Sequence, residues 1–244
     1  MNIVSPHPRR TVLLAAGVSL LTLLAGAWLV LCWWYPPAFW QASGILGIAA
    51  YAASAHLVIT ALFFLPWRNC WKNAASVQSD VAFLMFVMLG VALFSLSYLF
   101  AGRPVALVFS VDRVVLVRAN EIRATELAFA GILSKGLRIS APLQLIAARR
   151  STDEERLDSI QLAMAGFDLH QRPSFWIDIA VQRDQISQKA RNIDELRGVF
   201  ARQLAEFGNP KAEERTFLPL AGANGEWVLV LDNQLKTFMP LKIK

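Results

Sequence analysis

Three long uncharged runs at the start of the chain constrain its fold more than anything that follows. Thr11 to Trp34 is 24 residues without a formal charge. As a helix it is about 36 Å long, enough to cross a hydrocarbon core of roughly 30 Å with modest tilt. Gly44 to Trp67 gives 24 more, uncharged when His56 is neutral, and Val81 to Phe100 a further 20. A helix in a soluble core needs a polar face, and these have none. Composition agrees: 17% of the 244 residues are charged, against about 25% in an average soluble domain. The pattern predicts a membrane protein with three transmembrane α-helices, spans 11–34, 44–67 and 81–100, in a membrane domain of residues 1–100. A cleaved export signal from Arg9 and Arg10 to Ala25-Gly26-Ala27 is the weaker reading. Signal cores usually run about 7 to 15 residues, and this one continues to Trp34.

Lys and Arg in the short loops set an orientation. Arg9 and Arg10 precede the first run, Arg68 and Lys72 follow the second, and Tyr35 to Ser43 has no charge. By the positive-inside rule the first two segments are cytoplasmic and the third is outside, so three crossings place 101–244 outside too. Trp33, Trp34, Tyr35 and Trp40 at one end, and Trp67 and Trp71 at the other, sit where interfacial aromatics belong. Cys32 and Cys70 then lie about one bilayer apart, beyond the roughly 7 Å reach of a disulfide.

Only four of the 24 Lys and Arg and one of the 18 Asp and Glu precede residue 101. Residues 101–244 have no cysteine and read as a C-terminal α+β domain, periplasmic in this orientation, with mainly antiparallel strands. Val105 to Val117 is β-branched and interrupted by Asp112-Arg113, giving one long strand or two short ones. A short helix around Ile122 to Phe129 and a strand at Pro142 to Ala148 follow. Thr152 to Glu155 has the form of a capping box, with Leu157, Ile160 and Met164 on one helical face. Asn192 and Glu195 open another helix whose apolar stripe is Leu196, Val199, Phe200 and Phe207, ended by Gly208 and Pro210. Arg215 to Leu220, Trp227 to Leu231 and Thr237 to Leu241 read as a terminal meander.

Several segments carry a resemblance: Trp34-Tyr35-Pro36-Pro37-Ala38-Phe39 after the first run; Gly102-Arg103-Pro104-Val105-Ala106-Leu107-Val108-Phe109 with Asp112-Arg113 after the third; Asp168-Leu169-His170-Gln171-Arg172-Pro173; and Phe217-Leu218-Pro219-Leu220. With its matching spans the chain resembles the type IV pilin accessory proteins of the TfpX/TfpZ group, inner-membrane proteins of Gram-negative bacteria. One departure stands out. Family members commonly have an Asp followed by a Gly-Pro-Leu-Leu-Thr-Leu-like run in span two, and Ala53 to Leu62 lacks the Asp, Gly and Pro. The resemblance implies a chaperone-like, non-enzymatic factor for fimbrial biogenesis that binds the type IV pilin subunit in the inner membrane and periplasm. Other inner-membrane pilus assembly proteins are further implied partners. Type IV pilins carry a glutamate near the start of an apolar N-terminal helix, which gives an intramembrane residue something to meet.

That residue is His56, near the middle of the second run, where an ionisable side chain is costly. It reads either as a neutral imidazole bonded to a hydroxyl such as Ser19, Thr22, Ser95 or Ser97, or as a donor to the pilin carboxylate. Gly47, Ala50 and Ser54, with neighbouring Ala49 and Ala53, allow close helix approach, either within the bundle or to a pilin helix. Outside the bilayer the partner-binding candidates are Arg103, Pro104, Asp112, Arg113, Asp168, His170, Gln171 and Arg172. Asp112-Arg113 reads as a hairpin turn or as a buried ion pair. Asp168 and His170 read as a turn or as an acid/base pair, the latter serving a membrane-anchored enzyme or sensor acting on pilin or envelope material. Acids at Asp153, Glu154, Glu155 and Asp158 read as a solvated first turn favoured by the helix dipole. The chain has no G-x-S-x-G, Walker, H-E-x-x-H, C-x-x-C or G-x-G-x-x-G motif, and His7, His56 and His170 are scattered. No enzyme activity, cofactor or metal is expected. A pI near 9.7 with interspersed signs in 101–244 is a weak case for nucleic acid, so the bilayer and pilin are the expected partners.

Overall fold

The computed structural model describes residues 8–64, 74–123, 125–126, 143–196, 215–223, 225–232, 234–235 and 238–243. The chain divides into two compact units, one of Met1–Trp33 with Ile45–Phe100 and one of Trp34–Gly44 with Ala101–Lys244.

The first unit is helical. Helix α1 (Pro8–Leu29) passes into a wider π-helical turn at Val30–Trp34. After it come α3 (Ile45–Phe64) and α4 (Ala74–Ala101). Among the described residues two stretches are by themselves long and apolar enough to cross a membrane, Leu13–Trp34 and Ser79–Ala101. Helix α3 lies unbroken within the expected run 44–67, but among the described residues it counts toward a third span only together with Pro37–Ser43, from which a sharp break separates it. The break falls at Gly44, whose φ of 72° is left-handed and costs glycine no Cβ clash. Trp67, Arg68, Cys70, Trp71 and Lys72 lie outside the described residues.

The second unit is built on a mixed sheet in the order β4-β3-β1-β2-β6-β7-β8, with β5 also on β6. Its strands are β1 (Pro104–Ser110), β2 (Arg113–Arg118), β3 (Gln144–Ala148), β4 (Trp176–Asp178), β5 (Arg191–Asn192), β6 (Arg215–Ala221), β7 (Trp227–Asp232) and β8 (Phe238–Lys242). Hairpins β1–β2, β6–β7 and β7–β8 are antiparallel, but β1 pairs β3 and β2 pairs β6 in parallel. Parallel neighbours cannot be joined by a tight turn, so β3 and β6 each pair with a strand that does not directly precede them in the chain. Central β1 is buried on both faces: Leu107 and Phe109 join one cluster with Leu218 and Leu229, while Ala106 and Val108 join another with Ile146 and Trp176.

Local chemistry shifts several expected elements. A 3-10 turn at Ala119–Glu121 leads into extended Ile122, and of the helical stretch expected at Ile122 to Phe129 Thr125 and Glu126 are 3-10 helical, while residues 124 and 127–129 lie outside the described residues. Asn192 belongs to β5, and Ile193–Leu196 is a 3-10 turn; Val199, Phe200, Phe207, Gly208 and Pro210 lie outside the described residues. Helix α5 (Arg156–Met164) begins after Glu155, whose carboxylate accepts from the Thr152 N–H at 3.0 Å, one half of the capping box. The face marked by Leu157, Ile160 and Met164 is exposed. The short helices α2 (Trp40–Ser43) and α6 (Arg183–Lys189) place Ala42 and Ile186 in the main core.

Candidate functional site

Within the helical unit many large apolar side chains, such as Leu13, Phe86 and Phe94, face outward, while Ser19 and His56 are buried with Leu84, Met88 and Leu99. Helix α3 has two opposite faces. Ala49, Ala52, Ala53 and His56 line an apolar cleft of about 300 Å³. Gly26 and Val30 line it from the first run, and Ser95, Leu96 and Leu99 from α4. Gly47, Ala50, Tyr51 and Ser54 point outward, and a Cβ at Gly47 would meet nothing within 4 Å. Within this unit the alanine face lines the cleft and the Gly47, Ala50, Ser54 stripe does not.

His56 is only 5% exposed and Ser19 only 7%. Its Nε2 and the Ser19 Oγ share a 2.8 Å hydrogen bond, with the donor set by the imidazole tautomer. Thr60 Oγ1 donates to the His56 carbonyl at 2.8 Å, lies 3.4 Å from Ser19 Oγ, and approaches Met88 Sδ at 3.9 Å. A polar thread thus joins α1, α3 and α4 beside the apolar cleft. Of the hydroxyls considered for His56, Ser19 is its partner. Thr22 donates to the Val18 carbonyl at 2.9 Å and Ser97 to that of Phe94 at 2.8 Å, while Ser95 lines the cleft.

In the sheet unit the candidates are dispersed. Pro104 opens β1, where its missing N–H costs least, opposite Arg118 and beside a bulge. Arg103 is buried, and desolvation pushes its guanidinium below the ordinary value against an opposing effect of Tyr35. Asp112 and Arg113 are an exposed pair at 3.0 Å in the β1–β2 turn, so the buried ion-pair alternative is not what forms. A carboxylate at this tip keeps its water, and no core position lies opposite it.

Asp168 is the N-cap of a 3-10 turn at Leu169–Gln171, closed as a capping box: Leu169 N–H donates to Asp168 Oδ1, and Asp168 N–H to Gln171 Oε1, both at 3.1 Å. The Asp168 Oδ2 stands 3.9 Å from His170 Nδ1, too far for the hydrogen bond an acid/base pair needs. Burial pushes the His170 imidazole below its ordinary value, against Asp168 and Glu121. His170 and Gln171 line a polar pocket of about 210 Å³ with Arg118, Glu121 and Gly222 at the ends of β2 and β6.

Arg172, itself buried, is the hub of an ionic network that sequence spacing does not reveal. Its guanidinium reaches Glu126 and Asp158 at 3.3 Å each and lies 4.5 Å from the Phe175 ring centre. Burial raises the Glu126 carboxyl, but hydrogen bonds from Ser174 and Arg172 outweigh it and leave the group below its usual range. Arg149 stacks on the same Phe175 ring and forks onto Glu155 at 2.7 and 2.8 Å, holding that carboxyl down at about 2. Glu155, Asp153 and Asp158 near the start of α5 are thus paired with Arg149, Arg156 and Arg172. Among the described residues no three His, Cys, Asp or Glu side chains group as metal ligands would.

Two relatives give this layout a context. The chain is 23% identical over 234 residues to a fimbrial assembly protein of serogroup E1 from Dichelobacter nodosus, covering 93% of this chain and 91% of the relative. It is 23% identical over 235 residues, with the same coverage, to the serogroup I fimbrial assembly protein of that organism. The similarity spans both the helical and the sheet unit and supports a fimbrial assembly family. No protein-family model and no solved structure matches the chain.

Proposed function

We propose that this chain is a non-enzymatic accessory protein of type IV pilus biogenesis that holds the pilin subunit in the inner membrane and presents it for assembly or retraction. The observation that carries this reading is the cleft beside His56. It is apolar, floored by alanines and long enough to be contributed by three helices, which suits the flank of another apolar helix. A hydrogen-bonding imidazole at its edge lowers the cost of a polar group on that helix, and the pilin glutamate is our candidate for that group.

The names of the two relatives favour fimbrial assembly as the process. Engagement of Asp168 in capping, and of Glu126, Glu155 and Asp158 in ion pairs with Arg172 and Arg149, favours binding over chemistry. For the arrangement in the membrane we propose three spans, with α3 as the middle one, the amino terminus in the cytoplasm and the sheet unit in the periplasm. Placing Trp34–Gly44 and Ala101–Lys244 in one unit supports this, because the α1–α3 connection and the C-terminal sheet then share a side.

The test is His56→Leu in the native host. Loss of pilin crosslinking and of surface pili, with the accessory protein at its normal level, is the expected result. Unchanged crosslinking and piliation would end the His56 reading.

A further inference from the structure

The segment joining α1 to α3 lies in the core of the sheet unit. Phe39 and Ala42 are fully buried in the cluster that holds Leu107, Leu218 and Leu229, and the Phe39 and Phe238 rings meet edge-on at 6.1 Å. Its backbone is tied down as well. Ala223 N–H donates to the Ala42 carbonyl at 2.8 Å, and Arg118 Nη2 to that of Ser43 at 3.1 Å. Gly222 permits the approach, since a Cβ there would meet the Ala42 oxygen and Trp227 Cδ1, both at 3.0 Å.

We propose that Trp34–Gly44 is an intramolecular clasp: the sheet unit completes its core only when the α1–α3 connection reaches the same side of the membrane, which makes folding of the head conditional on correct insertion of the first helical hairpin. Withdrawal of the clasp uncovers the apolar socket of Phe39 and strands the Ala223 N–H. Each is a cost that the strands cannot recover among themselves. The inference does not depend on pilin binding.

The test uses the full-length protein in intact cells, with Cys32→Ser and Cys70→Ser as background. Introducing Ala42→Cys and Ala223→Cys places two thiols across a backbone hydrogen bond, within the separation a disulfide spans. The clasp requires the pair to oxidise in most molecules. Two fully alkylable thiols under oxidant, in a head that still resists external protease, would overturn it. Gly222→Val gives the second arm, because it crowds the clasp from an exposed position. It should raise labelling of Ala42→Cys by an impermeant maleimide about tenfold and speed proteolysis of the head. Labelling and proteolysis at the parent level would contradict the proposal.

Discussion

In the helical unit Leu13, Phe86 and Phe94 are more than 70% exposed, while Ser19 and His56 are buried. In the sheet unit Leu107, Leu218 and Leu229 are wholly buried, while Asp153 and Asp158 face outward. The same side chains are sorted in opposite directions, and the difference identifies the solvent each unit is built for. A surface of Leu and Phe is at rest in hydrocarbon, where inward hydroxyls and imidazole act as the joining elements. A surface of paired acids and arginines is at rest in water, where burial of Leu and Val holds the fold.

The largest expected effect lies where the sheet unit breaks its own rule. Arg172 is a buried charge, and Arg172→Ala leaves the Glu126 carboxylate buried and unpaired, so it should destabilise the head by about 3–5 kcal/mol in chemical denaturation of the detergent-solubilised protein. Arg172→Lys should recover little, because the ammonium cannot fork onto two carboxylates and stack on Phe175 at once.

Next comes a direct contrast of apolar truncations. Leu229→Ala in the sheet core should cost about 2–5 kcal/mol. Phe86→Ala on the outer face of α4 should stay within about 0.5 kcal/mol. A large loss from Phe86→Ala would mean that its face packs on protein rather than on lipid.

Acid should act on the sheet unit. Burial disfavours the protonated His170 in the folded head, so the unfolded chain takes up that proton first. Stability is then flat above about pH 6.5 and declines below it. Glu126 and Glu155 are both depressed, Glu155 to about 2, so they add a further loss below about pH 4.5. His170→Gln should flatten the upper limb of a plot of stability against pH and leave the lower limb in place.

The smallest effect belongs to the polar thread. A double-mutant cycle of Ser19→Ala and His56→Leu should give a coupling of about 0.6 kcal/mol, the usual size for a hydrogen bond between membrane helices. No coupling would separate the two side chains in the folded protein.

Much of this arrangement was legible from local signals. The uncharged runs mark α1 and α4, the Asp112-Arg113 interruption marks the β1–β2 turn, and turn residues between β-branched runs mark the β6–β7–β8 meander. What escaped depends on distant neighbours. The parallel seams β1–β3 and β2–β6 leave no trace in adjacent sequence, because their partners arrive through long connections. Tyr35 to Ser43 reads as a loop because its apolar residues have no period, yet Phe39 and Ala42 serve the core of the sheet unit. Gly47, Ala50 and Ser54 drew notice by size alone, and helical phase puts the alanines and His56 on the cleft instead. Arg172 reads in the sequence only as a partner-binding candidate, since spacing alone cannot bring Glu126 and Asp158 to it.

Site-specific photocrosslinking in the native host bears most directly on the proposed role. Probes at Ala53 and Leu96, on the cleft, should capture the pilin subunit, and one at Gln171 should report contact with its soluble body. Pilin adducts from the cleft positions, lost in His56→Leu, are the expected result. Adducts to lipid alone from Ala53 and Leu96, in cells with normal pilin and normal levels of this protein, would contradict it.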